Sequence, residues 1–390
     1  MRVCVIGSGI TGITTAYSLA KRGIEVTVFE REYYPAMKTS YANGGQLSVS
    51  NSDVWTTWNN VVKGLKWMVR KDAPLLVRPL PTYSKVRWLT KFLYNTWKGE
   101  SEYNTLETIK LGLAARELYL DIAEEEGIEF DLTKKGILHF YRDDEYFERA
   151  KKSLDVYTKN GIERYPVNLA EMSQIEPSLR LGGIIGGVYT PSDMNGDIHK
   201  FCVELRNVLE SKYSVSFING YDVKYLPMYS RIYDHVVVCA GVESQQLAEA
   251  INENLDIYPV KGDSITIEVG SSEDCPSTSL LDDERKIVSS RLGNKFRVAG
   301  TAELDGYNQD IRKERIDPLI RWVNYNFPAV ETEHVVPWAG LRPMTPNMLP
   351  IVRPSKRFDN IWYNTGHGHL GWTLGAATAE IVADYMHPKE

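Results

Sequence analysis

Val3-Cys-Val-Ile6, Gly7-Ser-Gly-Ile-Thr-Gly12, Ile13-Thr-Thr-Ala-Tyr-Ser-Leu-Ala20 and Glu25-Val-Thr-Val-Phe-Glu30 follow one another within the first thirty residues, and their order decides the fold. The β-branched run reads as a buried strand, the glycines as a tight turn, and the next segment, apolar at helical spacing, as a helix. A second strand then ends on Glu30, eighteen residues beyond Gly12, completing a βαβ unit. Gly7 allows the turn, Gly9 lets a pyrophosphate approach the backbone, and Gly12 permits close packing of helix on sheet. The helix N-terminus offers free N–H groups and a positive dipole end to phosphate, and the Glu30 carboxylate can accept hydrogen bonds from ribose hydroxyls. The glycines alone fit a turn without a ligand. With both strands and Glu30 in place, the pattern calls for an adenine dinucleotide.

Outward from this unit, 390 residues at ~150 per domain suggest two or three domains. Apolar residues at 43% and charged residues at 25% exclude disordered and fibrous architectures. A net charge of -6, from 45 Lys+Arg against 51 Asp+Glu, gives no footprint for nucleic acid. Cys4, Cys202, Cys239 and Cys275 are scattered without a Cys-x-x-Cys pair, which argues against a disulfide framework or a metal site and for a reducing, cytoplasmic compartment. Neither a membrane-spanning run nor a signal peptide is expected.

After Glu30 the chain runs into a polar, glycine-containing stretch, Lys38-Thr-Ser-Tyr-Ala-Asn-Gly-Gly-Gln-Leu-Ser48, which offers N–H groups to an extended cofactor. Asp234-His-Val-Val-Val-Cys-Ala240-Gly241 reads as a buried strand ending at a glycine, as a strand beside a dinucleotide requires; a plain core strand fits equally. Near the C-terminus, Ile361-Trp-Tyr-Asn364 reads as a strand, Thr365-Gly-His-Gly-His-Leu-Gly371 as a turn, and 372–386 as a helix whose N-terminus can stabilise negative charge on a flavin ring.

These blocks, with Arg297-Val-Ala-Gly-Thr-Ala-Glu303 and Trp338-Ala-Gly-Leu-Arg-Pro-Met-Thr-Pro346, resemble the FAD-dependent D-amino-acid dehydrogenases, within the wider D-amino-acid oxidase, glycine oxidase and sarcosine oxidase superfamily. The resemblance is colinear over nearly the whole chain. It implies FAD contacts from Gly7, Gly9, Thr11, Gly12, Glu30 and Arg31; from Thr39, Ser40, Asn43, Gly44, Gly45 and Gln46; from Val223, Ala240 and Gly241; and from Gly340, His367, Gly368, Gly371, Trp372 and Thr373. Sarcosine oxidases tether the flavin to a cysteine near the segment matching Pro343 to Pro346, where this chain has none, so noncovalent FAD is expected. Asp263 stands where these dehydrogenases usually carry tyrosine, and His369 where they usually carry threonine; each is either a cavity residue or an ordinary surface position.

The expected class is α/β: a Rossmann-like FAD domain built from discontinuous segments, 1–48, 186–250 and 334–390, with an α+β substrate domain from 49–185 and 251–333 carrying a largely antiparallel sheet. Lys135 to Tyr141, Tyr258 to Gly262, Ser264 to Glu268 and Phe296 to Ala299 are its expected strands. Residues 61–98 hold nine basic side chains, Lys63, Lys66, Arg70, Lys71, Arg78, Lys85, Arg87, Lys91 and Lys98, against the single acid Asp72. Trp67, Trp88 and Trp97 lie among them, with Trp55 and Trp58 just before. A solvated basic face or a cover for the substrate domain explains this better than peripheral membrane contact through 55–98 at the inner face, though the latter would suit transfer of electrons to a quinone.

For the chemistry, Arg342 is the first candidate, because a guanidinium clamps a carboxylate bidentately; an interdomain ion pair is the competing reading. Glycine oxidases, in the resemblance, place a carboxylate-binding arginine in this Gly-Leu-Arg-Pro setting. His367 is a weaker candidate, for flavin contact more than for catalysis. The implied reaction moves hydride from Cα of a D-amino acid to flavin N5, and hydrolysis of the imine gives a 2-oxo acid and ammonia. Quinone and oxygen both remain as acceptors. A secondary-amine or imino-acid oxidase (sarcosine, glycine, a D-proline derivative) and a membrane-associated electron carrier are the competing functions.

Overall fold

The computed structural model describes residues 1–67, 75–78, 81–270 and 272–388. Two large sheets organise it. The first has six strands in the order Ile351–Pro354, Ile361–Thr365, His235–Val238, Arg2–Ile6, Glu25–Phe29 and Ser216–Ile218, all parallel except the edge pair formed by the first two. Strands buried on both faces read as continuous apolar runs, and Arg2–Ile6 shows why. Val3 and Val5 join the core beneath the helices Ile10–Ala20, Ile198–Ser211 and Gly371–Met386, while Cys4 and Ile6 face a separate core with Leu226, Leu247 and Ala248.

The second sheet has nine strands, ordered Val335–Met344, Tyr258–Glu268, Lys295–Leu304, Ile287–Leu292, Ser279–Asp282, Ile137–Tyr141, Gly186–Thr190 and Tyr165–Val167, with Leu75–Val77 pairing beside Lys295–Leu304. It is antiparallel but for two parallel contacts, Ser279–Asp282 with Ile137–Tyr141 and Leu75–Val77 with Lys295–Leu304. The helix Lys313–Asn326 packs on its back through Ile316, Leu319, Trp322 and Val323.

Three expectations change. Gly186–Thr190 pairs with Ile137–Tyr141 and Tyr165–Val167 in the larger sheet, not in the six-stranded one. Val335–Met344 likewise belongs to the larger sheet, so the chain returns to the smaller only at Ile351. The segments read as two strands around Asp263 form one, Tyr258–Glu268. Among the described residues no helix is long and apolar enough to cross a membrane. Arg70, Lys71 and Asp72 of the basic stretch lie outside the described residues.

Candidate active site

A cavity of about 420 Å³ opens where the carboxyl ends of the parallel strands meet the front of the larger sheet, the position the fold offers for a nucleotide. At its base Gly7 turns the chain with φ +99°, and a Cβ there would stand 2.7 Å from the Cys239 carbonyl oxygen. A Cβ on Gly12 would fall 1.9 Å from the Gly7 carbonyl oxygen, so Gly12 is required by packing and lies beneath the cavity, not on its wall. At Gly9 a Cβ would meet only the Ser40 hydroxyl, at 3.5 Å. The protein leaves that position open, and the helix Ile10–Ala20 begins there without a side-chain cap from Gly9, its first N–H bonded to Ser40 Oγ at 3.2 Å. Thr11 lines the cavity.

Glu30 ends the second strand on the cavity wall. Its Oε2 accepts from the Ser8 amide (2.7 Å) and hydroxyl (2.6 Å), and its Oε1 from the Glu32 amide, which fixes the carboxylate at the strand end. Arg31 lines the cavity too and pairs with Glu243 at 2.7 Å. Thr39 donates to the Leu341 carbonyl, Asn43 accepts from the Gly45 amide, and Arg297 donates to the carbonyls of Tyr41 and Asn43, so the loop is pinned to the larger sheet from within. Ser40, Asn43, Gly44, Val223, Ala240, Gly241, Gly340, Gly368, Gly371 and Trp372 line the cavity.

Gly45, Gln46 and Thr373 do not. Gln46 is turned away, its amide donating to Ser279 Oγ and the Leu280 carbonyl. Thr373 is buried inside the C-terminal helix against Gly112. The wall also includes residues that the sequence reading passed over, among them Tyr221, Lys224, Gly262, Ser264, Gln309 and Trp338. Gly262 carried a usable signal, since a glycine inside a strand marks a close approach.

Arg342 reaches this cavity from Val335–Met344. Its guanidinium lies over Gly262, where a Cβ would stand 2.3 Å from both terminal nitrogens. Among the described residues it makes one hydrogen bond, from Nη1 to the Thr301 carbonyl at 3.0 Å. Burial pulls its pKa down and the Asp263 charge pushes it back up; an arginine stays protonated in either case. The interdomain ion pair is therefore not what is found.

His367 differs from expectation as a catalytic candidate. Its Nε2 sits 2.9 Å from Thr378 Oγ1, whose own proton goes to the Gly375 carbonyl, so the ring is tied to the helix it precedes. Burial brings its pKa to about 3 and keeps it neutral. His369 lines the cavity and stacks on Trp55, ring centroids 4.8 Å apart; burial, Arg342 and Lys286 bring its pKa to about 3 as well. Asp263 contributes to the wall, but the register places its side chain on the sheet face shared with Gly300 and Ala339, opposite that of Gly340 and Arg342.

Residues 2–385 match the family described as FAD dependent oxidoreductase, DAO. The chain belongs to that family. Within it, this chain is 48% identical to D-amino acid dehydrogenase 3 of Mesorhizobium japonicum, covering 98% of this chain and 96% of that protein. It is 37% identical to a D-amino acid dehydrogenase of Paramagnetospirillum magneticum, covering 99% and 95%. Among solved structures, glycine oxidase from Geobacillus kaustophilus superposes with a TM-score of 0.77 over 100% of this chain and 95% of that one, at 19% identity, and so shares the fold. The family is FAD-dependent, which agrees with the dinucleotide turn and with Glu30 at the strand end.

Proposed function

We propose that this chain is an FAD-dependent D-amino-acid dehydrogenase that oxidises the Cα–N bond of its substrate to an imine, which water converts to a 2-oxo acid and ammonia. The observation that carries the reading is a guanidinium, Arg342, held in the wall of the same cavity as the open glycine turn. The names of the two relatives support the substrate class.

The residues fit FAD. A Cβ on Gly9 would meet only Ser40 Oγ, nothing lies within 4 Å of a Cβ on Gly241, and the helix Ile10–Ala20 begins beside that space. We assign the pyrophosphate to Gly9 and Thr11, the ribose to Glu30, and the flavin to the loop 39–44 and the turn 366–371. All four cysteines are free and buried, which favours noncovalent binding. When bound, FAD supplies the acceptor for the hydride leaving Cα. The chain's own residues do the rest. Arg342 holds the carboxylate and so fixes which face of Cα is presented. His369 and Trp55 form an aromatic flank beside Arg342, and the neutral imidazole places no positive charge beside the amine, which releases its proton to water before hydride leaves Cα. We assign the six-stranded part to the cofactor and the larger sheet to the substrate. The acceptor that reoxidises the flavin, quinone or oxygen, meets the enzyme after this step.

The test is anaerobic addition of D- and L-amino acids, sarcosine and D-proline to the purified yellow protein. D-amino acids should bleach the flavin, and Arg342→Ala should lower kcat/KM for them by at least about 100-fold, the loss of a charge-assisted bidentate contact, while FAD stays bound. Bleaching by sarcosine or D-proline alone would replace the reading with that of a secondary-amine enzyme.

A further inference from the structure

Arg342 is held by an unusual piece of backbone. Thr301, whose carbonyl accepts from Arg342 Nη1, has φ +63°, a left-handed conformation that a β-branched residue rarely adopts. It lies where Lys295–Leu304 slips register against Tyr258–Glu268, between Lys261 and Asp263, so it belongs to a bulge between these two neighbouring strands. Bulges re-aim side chains and carbonyls beside active sites.

What stabilises the bulge is Asp263. Its backbone N–H donates to Thr301 Oγ1 at 3.0 Å, and Thr301 Oγ1 donates to its Oδ2 at 2.7 Å, a two-bond ring between adjacent strands. The carboxylate is 1% exposed, and its other oxygen, Oδ1, has no hydrogen-bond partner among the described residues. A left-handed threonine and a half-satisfied buried carboxylate both cost free energy. A sheet built only for stability would carry neither. Their joint effect is to turn one carbonyl out of the ladder and onto the guanidinium, which Gly262 admits by having no side chain.

We propose that Asp263 and Thr301 are positioning residues for the substrate arginine, fixing its guanidinium through the Thr301 carbonyl so that its remaining N–H groups face the substrate carboxylate. The inference rests on the assignment of Arg342 to that carboxylate. Both act through Arg342, Thr301 by its carbonyl and Asp263 by a side chain on the opposite face of the sheet.

The experiment uses the FAD-loaded full chain, D-alanine and D-phenylalanine as substrates, and a dye as acceptor. Thr301→Val keeps the branched shape and removes the hydroxyl. It should raise KM about 10-fold and change kcat less than about threefold, with FAD content held and Tm lowered, because the buried Asp263 carboxylate loses its partner. Thr301→Ser restores the hydroxyl and should bring KM back to within about twofold. Asp263→Ala should reproduce the KM rise and serves as the second variant if Thr301→Val does not fold. In an Arg342→Lys background, Thr301→Val should add no further rise, because the side chain it positions is gone. A wild-type KM in folded, flavin-loaded Thr301→Val, or a rise that serine does not reverse, overturns the proposal. If Arg342→Ala leaves kinetics unchanged, the reading of the site itself fails; if it impairs them while Thr301→Val does not, only the clamp fails.

Discussion

At the scale of single residues, the glycines of the first turn separate structural from ligand-driven demands. Gly12 is required by the protein, because any Cβ would overlap the Gly7 carbonyl oxygen. Gly9 faces open space except for Ser40 Oγ. Gly9→Ala should therefore fold with a Tm close to that of the flavin-stripped wild type and lose most of its FAD, whereas Gly12→Ala should be strongly destabilised or fail to fold. FAD content per chain after gel filtration, alongside circular-dichroism melts, distinguishes the two. Equal loss of structure in both variants would remove the argument that Gly9 is kept open for a cofactor. The same logic reaches Gly262→Ala: the new methyl occupies the position of the guanidinium, so KM for amino acids should rise while FAD stays bound.

Among the elements, the C-terminal helix and the basic helices over the substrate sheet each invite a measurement. His367 is buried and neutral at the entrance of Gly371–Met386, with its pKa lowered from 6.5 to about 3. Because the folded value lies below the unfolded one, the unfolded chain takes up the proton first. The stability this group contributes is complete above about pH 6.5 and is lost as pH falls from there toward 3, by a few kcal/mol in all. His369 acts with the same sign. Tm should thus drop between pH 7 and 4, and the drop should be shallower in His367→Gln; superimposable profiles would show that this imidazole carries none of it. The helix Tyr83–Lys98 answers the membrane question differently. Arg87 and Lys91 both pair with Asp256, Lys85 donates to the Arg78 carbonyl, and Trp88 is buried with its indole N–H on the Met344 carbonyl. These groups have partners within the protein, although Arg87 and Lys91 stay partly exposed, and Trp58, Tyr83, Val86, Leu93, Tyr94 and Trp97 are among the side chains left exposed. Sedimentation with phosphatidylserine vesicles at low salt should therefore pellet little protein, and extensive, salt-reversible pelleting would restore a membrane role.

For the whole molecule, legibility followed the range of the interactions involved. The first βαβ unit, the helix after the turn 365–371 and Arg342 were readable because each depends on spacing within a few residues or on the chemistry of one side chain. Asp263 broke the apolar alternation of Tyr258–Glu268 and split one strand into two on paper; the bulge at Thr301 is what accommodates it. Gly186–Thr190 went to the wrong sheet because its partners, Ile137–Tyr141 and Tyr165–Val167, are set by long-range pairing. Gln46 was given to the cofactor because a loop sequence does not reveal which way a side chain turns. The cavity itself is the longest-range feature, walled by Gly9 and Glu30, by Val223 and Gly241, by Gly262 and Arg342, and by Gly371, and so by both sheets. A ligand that touches all of these segments binds the folded chain and not the unfolded one, and must stabilise the molecule as a whole. At a free FAD concentration 100 times Kd the gain is about 2.7 kcal/mol. Stripping the flavin should lower Tm by several degrees, and titrating FAD back should raise it progressively with concentration. NAD at the same concentrations should leave the stripped protein's Tm where it was, because it lacks the flavin assigned above to the loop and the C-terminal turn; a matching rise with NAD would shift the cofactor assignment instead.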